Sequence, residues 1–296
     1  MMIQDFDQWM LSNQRTVEEA LSLYLPGEHE NPVRLHEAMR YITLDGGKRV
    51  RPALVFAAGA LFDASPALLA RAAAAVEMIH VYSLVHDDMP CMDDDALRRG
   101  KPTVHVQYDE ATALLVGDAL QAQAFFVLSG GGGDPVPTLS RVRLLALAAG
   151  SVGMCGGQAI DLASVGLSLT LPELEQMHRL KTGALLRASI FLGALCGRSL
   201  SPKEEAALDA YANAVGLAFQ VVDDILDATA DSATLGKTVG KDAADNKPTY
   251  VSILGLAQSQ VLAKKLFEDA LEALRPFGDR ADRLRQIADL IVSRKT

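Results

Sequence analysis

Residues 84–95 read LVHDDMPCMDDD and place five aspartates within nine residues, after an apolar run and before the pair Arg98-Arg99. Like charges this close repel one another, and that repulsion opposes folding. The apolar residues that lead into the cluster recur at three and four, which is the period of an α-helix. The stretch therefore predicts an apolar helix that ends in crowded carboxylates, and carboxylates in that setting need cations.

A second acidic cluster lies in residues 219–227, which read FQVVDDILD. A spacing of four places Asp223 and Asp227 on one face of a helix, and Asn213 and Gln220 continue that face. A solvated acidic surface is the simpler interpretation of any one aspartate pair, but both clusters here end helices of core-like composition. Together they predict facing walls of one cavity. Hard oxygen ligands select Mg²⁺ or Mn²⁺, and Mg²⁺ usually takes substrate phosphates as further ligands.

Basic residues alternate with the acidic clusters along the chain. GGKRVRP (46–52) places Lys48 and Arg51 three apart at a predicted helix start, where free backbone N–H groups and the helix dipole also favour an anion. Further basic residues occur at Arg98, Arg99, Lys101, Lys181, Lys237 and Lys247. Each pair alone is more often a solvated surface. In one apolar helical chain, however, the alternation predicts a site for diphosphates that are bridged by metal.

Helical periodicity extends through most of the chain, whereas strand-like alternation is scarce and aromatic residues make up only 5%. Capping boxes open two helices at Thr170 and Ser201, and Ser65-Pro66 opens the helix that leads to Asp87. We predict helices over 15–25, 33–44, 50–62, 66–90, 109–129, 138–165, 171–198, 202–229, 248–273 and 278–294, with SGGGGDPVP (129–137) as a loop. No break in composition divides the chain, so residues 1–296 are expected to form one large all-α domain.

Composition also excludes several kinds of partner. The chain has 296 residues, 49% of them apolar, and a net charge of −9 without a basic stripe, so nucleic acid is not an expected partner. Three cysteines without metal-ligand spacing indicate a reducing compartment. The N-terminus lacks a signal-peptide core and the apolar runs are interrupted, which predicts a cytoplasmic protein without a membrane span.

These motifs resemble the trans-isoprenyl diphosphate synthases, most closely the bacterial farnesyl diphosphate synthases. The resemblance covers nearly the whole chain, in order, through GGKRVRP (46–52), EMIHVYSLVHDDMPCMDDDALRRGKPTVH (77–105), GDAL (117–120), GGQAIDL (156–162), KTGAL (181–185), FQVVDDILD (219–227), LGKTVGKD (235–242) and NKPTY (246–250). It implies a helical bundle around a deep central cavity, assembled as a homodimer. It also implies the head-to-tail joining of an allylic diphosphate to isopentenyl diphosphate, with release of diphosphate, which serves as the base.

The resemblance implies a role for each matched residue. Asp87 and Asp93 would hold two Mg²⁺ ions and Asp223 a third, and Mn²⁺ could substitute. The expected catalytic residues are Asp87, Asp88, Asp93, Arg98, Lys181, Asp223, Asp224 and Asp227. The allylic diphosphate would be bound by Arg98, Lys181, Thr182, Gln220 and Lys237, with Lys247 as a weaker candidate. The diphosphate of isopentenyl diphosphate would be bound by Lys48, Arg51, His80 and Arg99.

Product length and enzyme class leave alternatives open. Tyr82 and Ser83, five and four residues before Asp87, favour a C15 product over the C10 and C20 products of the same family. A terpene cyclase would carry an Asn/Ser/Glu-type second motif and would need no second diphosphate site. A non-catalytic regulatory subunit could lose its aspartates, whereas this chain keeps both sets. Cys91 is interpreted as a passive filler in the first motif.

Overall fold

The computed structural model of the protein describes residues 5–132, 134–229 and 248–294. These residues form α1 (Phe6–Tyr24), α2 (Val33–Thr43), α3 (Val50–Leu61), α4 (Pro66–Asp87), β1 (Leu97–Arg98), β2 (Lys101–Pro102), α5 (Val104–Gln107), α6 (Glu110–Ser129), α7 (Pro135–Ala149), α8 (Met154–Ala163), α9 (Leu171–His178), a π-helical turn (Arg179–Gly183), α10 (Ala184–Gly197), α11 (Pro202–Thr229), α12 (Tyr250–Leu254), α13 (Leu256–Ala273), a 3₁₀ turn (Arg275–Ala281) and α14 (Asp282–Ser293). The predicted all-α class is confirmed.

Helix α4 lies in the middle of the molecule and carries the first acidic cluster at its C-terminus. It packs against α6, α3, α10 and α1. Its alanines from Ala72 to Ala75 are fully buried, and Met78 and Ile79 are buried beside them. Small side chains let neighbouring helices approach the axis closely, so α4 is surrounded along most of its length. Its last turn is thereby fixed relative to α3, which also contributes to the cavity described below.

Most predicted helices are confirmed with ends that move by a few residues, but three of them are interrupted. The helix predicted over 138–165 divides into α7 and α8, and the one over 171–198 contains the π turn. The helix predicted over 248–273 divides at Gly255. Its φ of 79° lies in the left-handed region, which residues other than glycine rarely adopt. Periodicity runs through each break because both halves bury apolar residues.

Two further elements differ from the prediction. Helix α1 begins at Phe6 rather than at residue 15, because Phe6 and Trp9 stack at 6.0 Å between ring centroids and both pack against the core. A two-residue loop, Arg99-Gly100, joins β1 and β2 with φ of 54° and 75°. Positive φ at both loop residues is the conformation that matches the twist of a tight antiparallel hairpin.

Within the part of the chain that the structure describes, four helical stretches are long and apolar enough to cross a membrane by length and composition alone: Pro66–Asp87, Glu110–Ser129, Pro135–Ala163 and Leu171–Gly197. The interruptions noted in the sequence are therefore too weak to exclude a span. In Pro66–Asp87, 67% of the most apolar window is buried inside the protein, which gives that helix a separate reason to be apolar. The absence of a membrane span stays a prediction.

Candidate active site

A cavity of about 1190 Å³ opens between the start of α3, the second half of α4, the π turn, α11 and the end of α14. Predicted members of both diphosphate sites and of the second acidic cluster line it: Lys48, Arg51, His80, Arg98, Arg99, Thr182 and Asp223. Asp87, Asp88 and Asp93 are not among its lining residues, and Lys181, Gln220 and Asp224 line a smaller pocket instead. Asp95 from the first aspartate run lines the same cavity. The structure thus brings together cations and carboxylates that are far apart in the sequence.

The first acidic cluster folds back on the helix end that precedes it. The backbone N–H of Asp93 donates to the carbonyl of Asp87 at 2.8 Å, and that of Asp95 donates to the carbonyl of Asp88 at 3.2 Å. Asp94 takes a left-handed conformation with φ of 51°, which aspartate tolerates better than most residues. The four residues between Asp88 and Asp93 thus form a closed loop that returns Asp93 to the end of α4 beside Asp87.

The electrostatic state of Asp87 shows that this cluster needs positive charge. The pKa of the Asp87 carboxyl is raised to about 6, chiefly by burial; Lys181 and Arg98 lower it, and Asp93 and Asp88 add to the rise. Among the described residues, no three His, Cys, Asp or Glu side chains converge closely enough to hold an ion alone. Magnesium is commonly held by one or two carboxylates together with substrate phosphates, so the donor set fits that ion.

Asp88 and Arg98 form a bidentate ion pair beside the cavity. Arg98 Nε donates to Asp88 Oδ1 at 2.9 Å and to Oδ2 at 2.8 Å, and Arg98 Nη2 donates to Oδ1 at 2.5 Å. Burial disfavours the charged guanidinium, but the hydrogen bonds to Asp88 more than offset burial and raise the pKa of Arg98. Asp88 therefore orients Arg98. The predicted catalytic role of Asp88 stays a prediction.

The second acidic cluster has an arginine partner that the sequence analysis did not identify. Arg294 Nη2 lies 2.7 Å from Asp223 Oδ1, and the guanidinium stacks over the Phe219 ring at 4.0 Å from its centroid. Arg294 also lines the cavity, and it follows directly after α14. A cation thus already sits against the carboxylate for which the family resemblance implies the third metal ion.

Asp224 and Gln220 belong to a chain of hydrogen bonds. Asp224 is buried; its Oδ1 accepts from Gln220 Nε2 at 3.0 Å, and its Oδ2 accepts from the backbone N–H of Tyr250 at 2.7 Å. Gln220 Oε1 in turn accepts from Thr182 Oγ1 at 3.4 Å. Asp224 therefore joins α11 to the start of α12 and fixes the amide of Gln220. Its predicted catalytic role stays a prediction, as does that of half-buried Asp227.

The π turn presents Lys181 and Thr182 to the site. A π turn is rare and occurs most often at functional positions within α-helices. Helix α8 approaches the turn so closely that a Cβ on Gly157 would lie 2.1 Å from the backbone nitrogen of Lys181. From the same helix, Asp161 accepts a hydrogen bond from Lys181 Nζ. The motif GGQAIDL therefore supplies both the close approach and the carboxylate that holds the lysine.

The cationic wall of the cavity contains the residues expected to bind isopentenyl diphosphate. Burial, followed by the nearby Arg51, Arg99 and Arg98, holds the pKa of His80 well below its usual range. His80 is therefore a neutral imidazole that can donate one N–H, while the arginines carry the charge. This grouping of Lys48, Arg51, His80 and Arg99 on one wall agrees with the predicted set, although their binding role stays a prediction.

Comparison with known proteins identifies the family of this chain. The family model described as polyprenyl synthetase matches residues 32–289. The chain belongs to the polyprenyl synthetase family. The predicted family and fold are confirmed.

Relatives in this family are similar over most of their length. A probable farnesyl diphosphate synthase of Bradyrhizobium diazoefficiens is 52% identical over 282 residues, which is 94% of this chain and 85% of the relative. The farnesyl diphosphate synthase of Escherichia coli is 45% identical over 296 residues, covering 98% and 99% of the two chains. Geranylgeranyl pyrophosphate synthase 4 of Arabidopsis thaliana is 44% identical over 294 residues, covering 98% and 78%.

Crystal structures from the family share the fold. An FPP/GFPP synthase from Zymomonas mobilis is 43% identical with a TM-score of 0.88, covering 97% of this chain and 98% of that one. A geranyltransferase from Helicobacter pylori, complexed with magnesium and isoprenyl diphosphate, is 30% identical with a TM-score of 0.85, covering 99% and 98%.

Within this polyprenyl synthetase fold, Tyr82 is buried on α4, five residues before Asp87. Tyr82 is only 4% exposed, and its hydroxyl lies 3.4 Å from the Sγ of Cys155 on α8. The hydroxyl of Ser83 donates to the carbonyl of His80 at 2.8 Å. Neither Tyr82 nor Ser83 lines the large cavity, whereas the next residue, Leu84, does. Tyr82 is thus buried against α8, and its predicted role in product length stays a prediction.

Two predicted residues have no described position, and two residues of the site were not predicted from the sequence. Lys237 and Lys247 lie outside the described residues. Sequence reasoning missed Arg294 and Asp161. The only sequence signal for Arg294 is a basic residue directly after an amphipathic helix, and Asp161 was visible only as part of a matched motif.

Proposed function

We propose that the protein is a magnesium-dependent prenyltransferase that condenses isopentenyl diphosphate with dimethylallyl and geranyl diphosphates to make farnesyl diphosphate. The observation that carries the proposal is one cavity lined by a cationic wall and by members of both acidic clusters. Two diphosphates need two cationic sites, and the chain supplies one around Lys48 and Arg51 and another around Lys181 and Arg98. The names of the relatives from Bradyrhizobium and Escherichia support the C15 product.

The residues of the chain divide the work by position. Lys181, fixed by Asp161, and Arg98, fixed by Asp88, bind the allylic diphosphate and stabilise the charge that develops as it departs. The wall of Lys48, Arg51, His80 and Arg99 holds isopentenyl diphosphate so that its double bond meets the allylic carbon. Asp87, Asp93 and Asp223 would hold magnesium, which would supply further positive charge to the leaving group. The Phe219 ring and the π turn exclude water from the cationic carbon.

The proposal is tested by product analysis with purified protein. Isopentenyl and dimethylallyl diphosphates with Mg²⁺ should give mainly a C15 product, identified by chain length after removal of the diphosphate. Excess chelator should abolish turnover, and Mn²⁺ should restore part of it. A crystal grown with Mn²⁺ and an unreactive allylic analogue would count the expected three ions by anomalous scattering. Full activity in chelator would contradict the metal role.

A C20 product is the alternative within the family, since a geranylgeranyl synthase is 44% identical. Buried Tyr82 supports the shorter product, because a bulky side chain just over one turn below Asp87 would stop a longer hydrocarbon tail. A C10 product would require that geranyl diphosphate leave before a second condensation. Chain-length analysis with geranyl and farnesyl diphosphates as separate starters distinguishes these three products.

Other classes are less well supported. A terpene cyclase has no use for a second diphosphate site, yet Lys48, Arg51 and Arg99 form one. A regulatory subunit has no need of both acidic clusters, which this chain retains. A product that contains no added isopentenyl unit would favour the cyclase.

We also infer a cytoplasmic homodimer, with support from exposed apolar side chains. Among the described residues, most large exposed apolar side chains lie between residues 114 and 167, on α6, α7, α8 and their connections. Phe126, Leu139 and Val152 are 73%, 69% and 66% exposed in the single chain. Exposed apolar area on this scale commonly marks a contact with another protein chain.

Light scattering after size exclusion should give twice the mass of one chain. Phe126→Asp should yield monomers, because a carboxylate buried in a dimer contact would lack a partner. Val261→Asp is the matched control, since Val261 is 70% exposed but lies on α13. A wild-type monomer would contradict the proposed dimer, and a monomeric Val261→Asp variant would place the contact elsewhere.

A further inference from the structure

Arg49 lies between Lys48 and Arg51 and, like them, borders the cavity, but its guanidinium is buried in ion pairs. Its guanidinium is only 1% exposed and forms ion pairs with Glu18 at 2.5 Å and with Glu77 at 2.6 Å. Its Nη2 also donates to the carbonyl of Thr43 at 2.6 Å. One side chain therefore joins α1, the end of α2 and α4 at the start of α3, of which Arg49 is the N-terminal cap residue.

The backbone of this turn has an unusual conformation at Arg49, whose guanidinium pairs with Glu18 and Glu77. Arg49 has a left-handed conformation with φ of 51°, and Gly47, two residues before, has φ of 86°. A side chain other than glycine holds a left-handed conformation only where its surroundings compensate for the strain. The buried ion pairs of Arg49 are that compensation. Lys48 and Arg51 on either side consequently reach the cavity.

Arg99 rests directly on the same turn. A Cβ on Gly46 or Gly47 would lie 2.8 Å from the guanidinium of Arg99, so this guanidinium packs against bare backbone. A shift of the turn would therefore move Arg99 as well. The turn thus governs three of the four residues of the cationic wall.

Glu77 links this turn to His80, the fourth residue of the cationic wall. It lies three residues before His80 on α4 and is 2% exposed. Its charge raises the pKa of both Arg51 and Arg99, opposing the burial that lowers them. Glu77 therefore provides negative charge for a group of closely spaced guanidiniums that would otherwise repel one another. Burial disfavours charge on Arg49 too, yet Glu77 and Glu18 more than offset it.

We propose that Arg49, held by Glu77 and Glu18, is the positioning residue of the isopentenyl diphosphate site, and that it keeps Lys48, Arg51 and Arg99 assembled before substrate arrives. This inference rests on the proposed function, because it assigns that wall to isopentenyl diphosphate. Preassembly matters because binding then does not have to order four side chains and one turn. Arg49 does not contact the substrate.

The test compares steady-state constants for the two substrates. Arg49→Lys keeps the charge but cannot contact two carboxylates and a carbonyl at once, since a lysine ammonium lacks the arginine fork. We expect Arg49→Lys and Glu77→Gln each to raise KM for isopentenyl diphosphate about tenfold or more, as loss of a charge-assisted contact does. KM for geranyl diphosphate should change by less than about twofold. Calorimetric binding of isopentenyl diphosphate should weaken in parallel.

Arg141→Lys is the matched control. Arg141 is also a buried arginine that joins two helices, through the Leu195 carbonyl at 3.2 Å and Thr138 Oγ1 at 3.0 Å, but it does not line the cavity. It should leave both KM values unchanged even if it lowers the melting temperature. Unchanged KM for isopentenyl diphosphate in folded Arg49→Lys would overturn the inference. The inference would also be overturned if Arg49→Lys and Arg141→Lys raised KM equally for isopentenyl diphosphate and for geranyl diphosphate.

If Arg49→Lys and Glu77→Gln do not fold, Glu18→Gln tests the inference instead. Glu18 is only partly buried, and this substitution removes one of the two carboxylates that hold Arg49. A selective rise in KM for isopentenyl diphosphate supports the inference, and no change overturns it. A wild-type protein that makes no C15 product would instead reject the proposed function. An active wild type with an unaffected Arg49→Lys variant rejects only the positioning role.

Discussion

Asp87→Asn should lower kcat about 100- to 1000-fold, the usual loss when one preorganised electrostatic group is removed. The same variant should make the metal-free protein more stable. The carboxyl of Asp87 is buried beside Asp93 and Asp88, and its pKa is raised from 3.8 to about 6. The folded state therefore holds a carboxylate at neutral pH that it would stabilise better as the protonated acid.

The sign of the stability effect follows from proton binding. Between pH 3.8 and about 6 the folded protein binds more protons at Asp87 than the unfolded chain does, so the free energy of unfolding falls as pH rises through that window. At pH 7 the full penalty is present, about 2–3 kcal/mol. Asparagine carries no such penalty. Urea unfolding in chelator should show the gain at pH 7 and little gain near pH 4.

The matched control is Asp94→Asn in the same loop. Asp94 is exposed and has a left-handed conformation that asparagine also adopts readily. This variant should retain near-normal kcat and stability. If folded Asp87→Asn turned over normally, Asp87 would not be a metal ligand. If it were less stable than wild type at pH 7, the charge conflict at this cluster would be absent.

Tyr82→Ala should shift the product from C15 to C20 or longer. The hydrocarbon tail has no polar group, so the protein can measure its length only by the space available. In the proposed function Asp87 holds the diphosphate end through metal, and one helical turn rises about 5.4 Å, which is close to one isoprene unit. Tyr82 lies just over one turn below Asp87 and is 4% exposed, so its removal opens space where the C15 chain ends.

Stability must be separated from product length in this experiment. Truncation of a buried aromatic side chain costs about 3–5 kcal/mol, so the variant is first tested for folding by circular dichroism. Tyr82→Phe is the control, because it keeps the ring and removes only the hydroxyl that contacts Cys155. It should still make C15. A folded Tyr82→Ala variant that stops cleanly at C15 would move the length limit to residues on α6 or α8.

The fold was predictable where one physical signal dominated. Helix α11 (Pro202–Thr229) matches its predicted range because a capping box, a continuous apolar face and a polar stripe all agree. The π turn and the break at Gly255 were not predictable, because apolar periodicity continues across both. The hairpin of Leu97–Pro102 is too short for any periodic pattern.

The candidate site was predictable as a set of charges but not as a set of contacts. Sequence spacing placed Asp87, Asp93 and the cationic residues on helix ends. The structure brings Lys48, Arg51, Arg98 and Arg99 to one cavity, whereas Asp87 and Asp93 do not line it. Sequence spacing could not pair Asp223 with Arg294, which meet only after α14 packs against α11. Nor could it distinguish Arg49 from its neighbours, since the left-handed backbone that turns this side chain inward has no signal in an arginine-rich stretch.

The π turn of Arg179–Gly183 has a consequence for how this site can vary. One additional residue in a regular helix would rotate everything after it by about 100°, and every buried side chain of α10 would lose its place. A π turn absorbs that residue locally, so α9 and α10 keep their own packing faces. The segment that carries Lys181 and Thr182 can therefore differ in helical winding from α9 and α10 while both helices keep their packing. Removal of one residue from the turn should rotate Lys181 and Thr182 relative to α11 and leave the bundle intact only if α10 shifts with it.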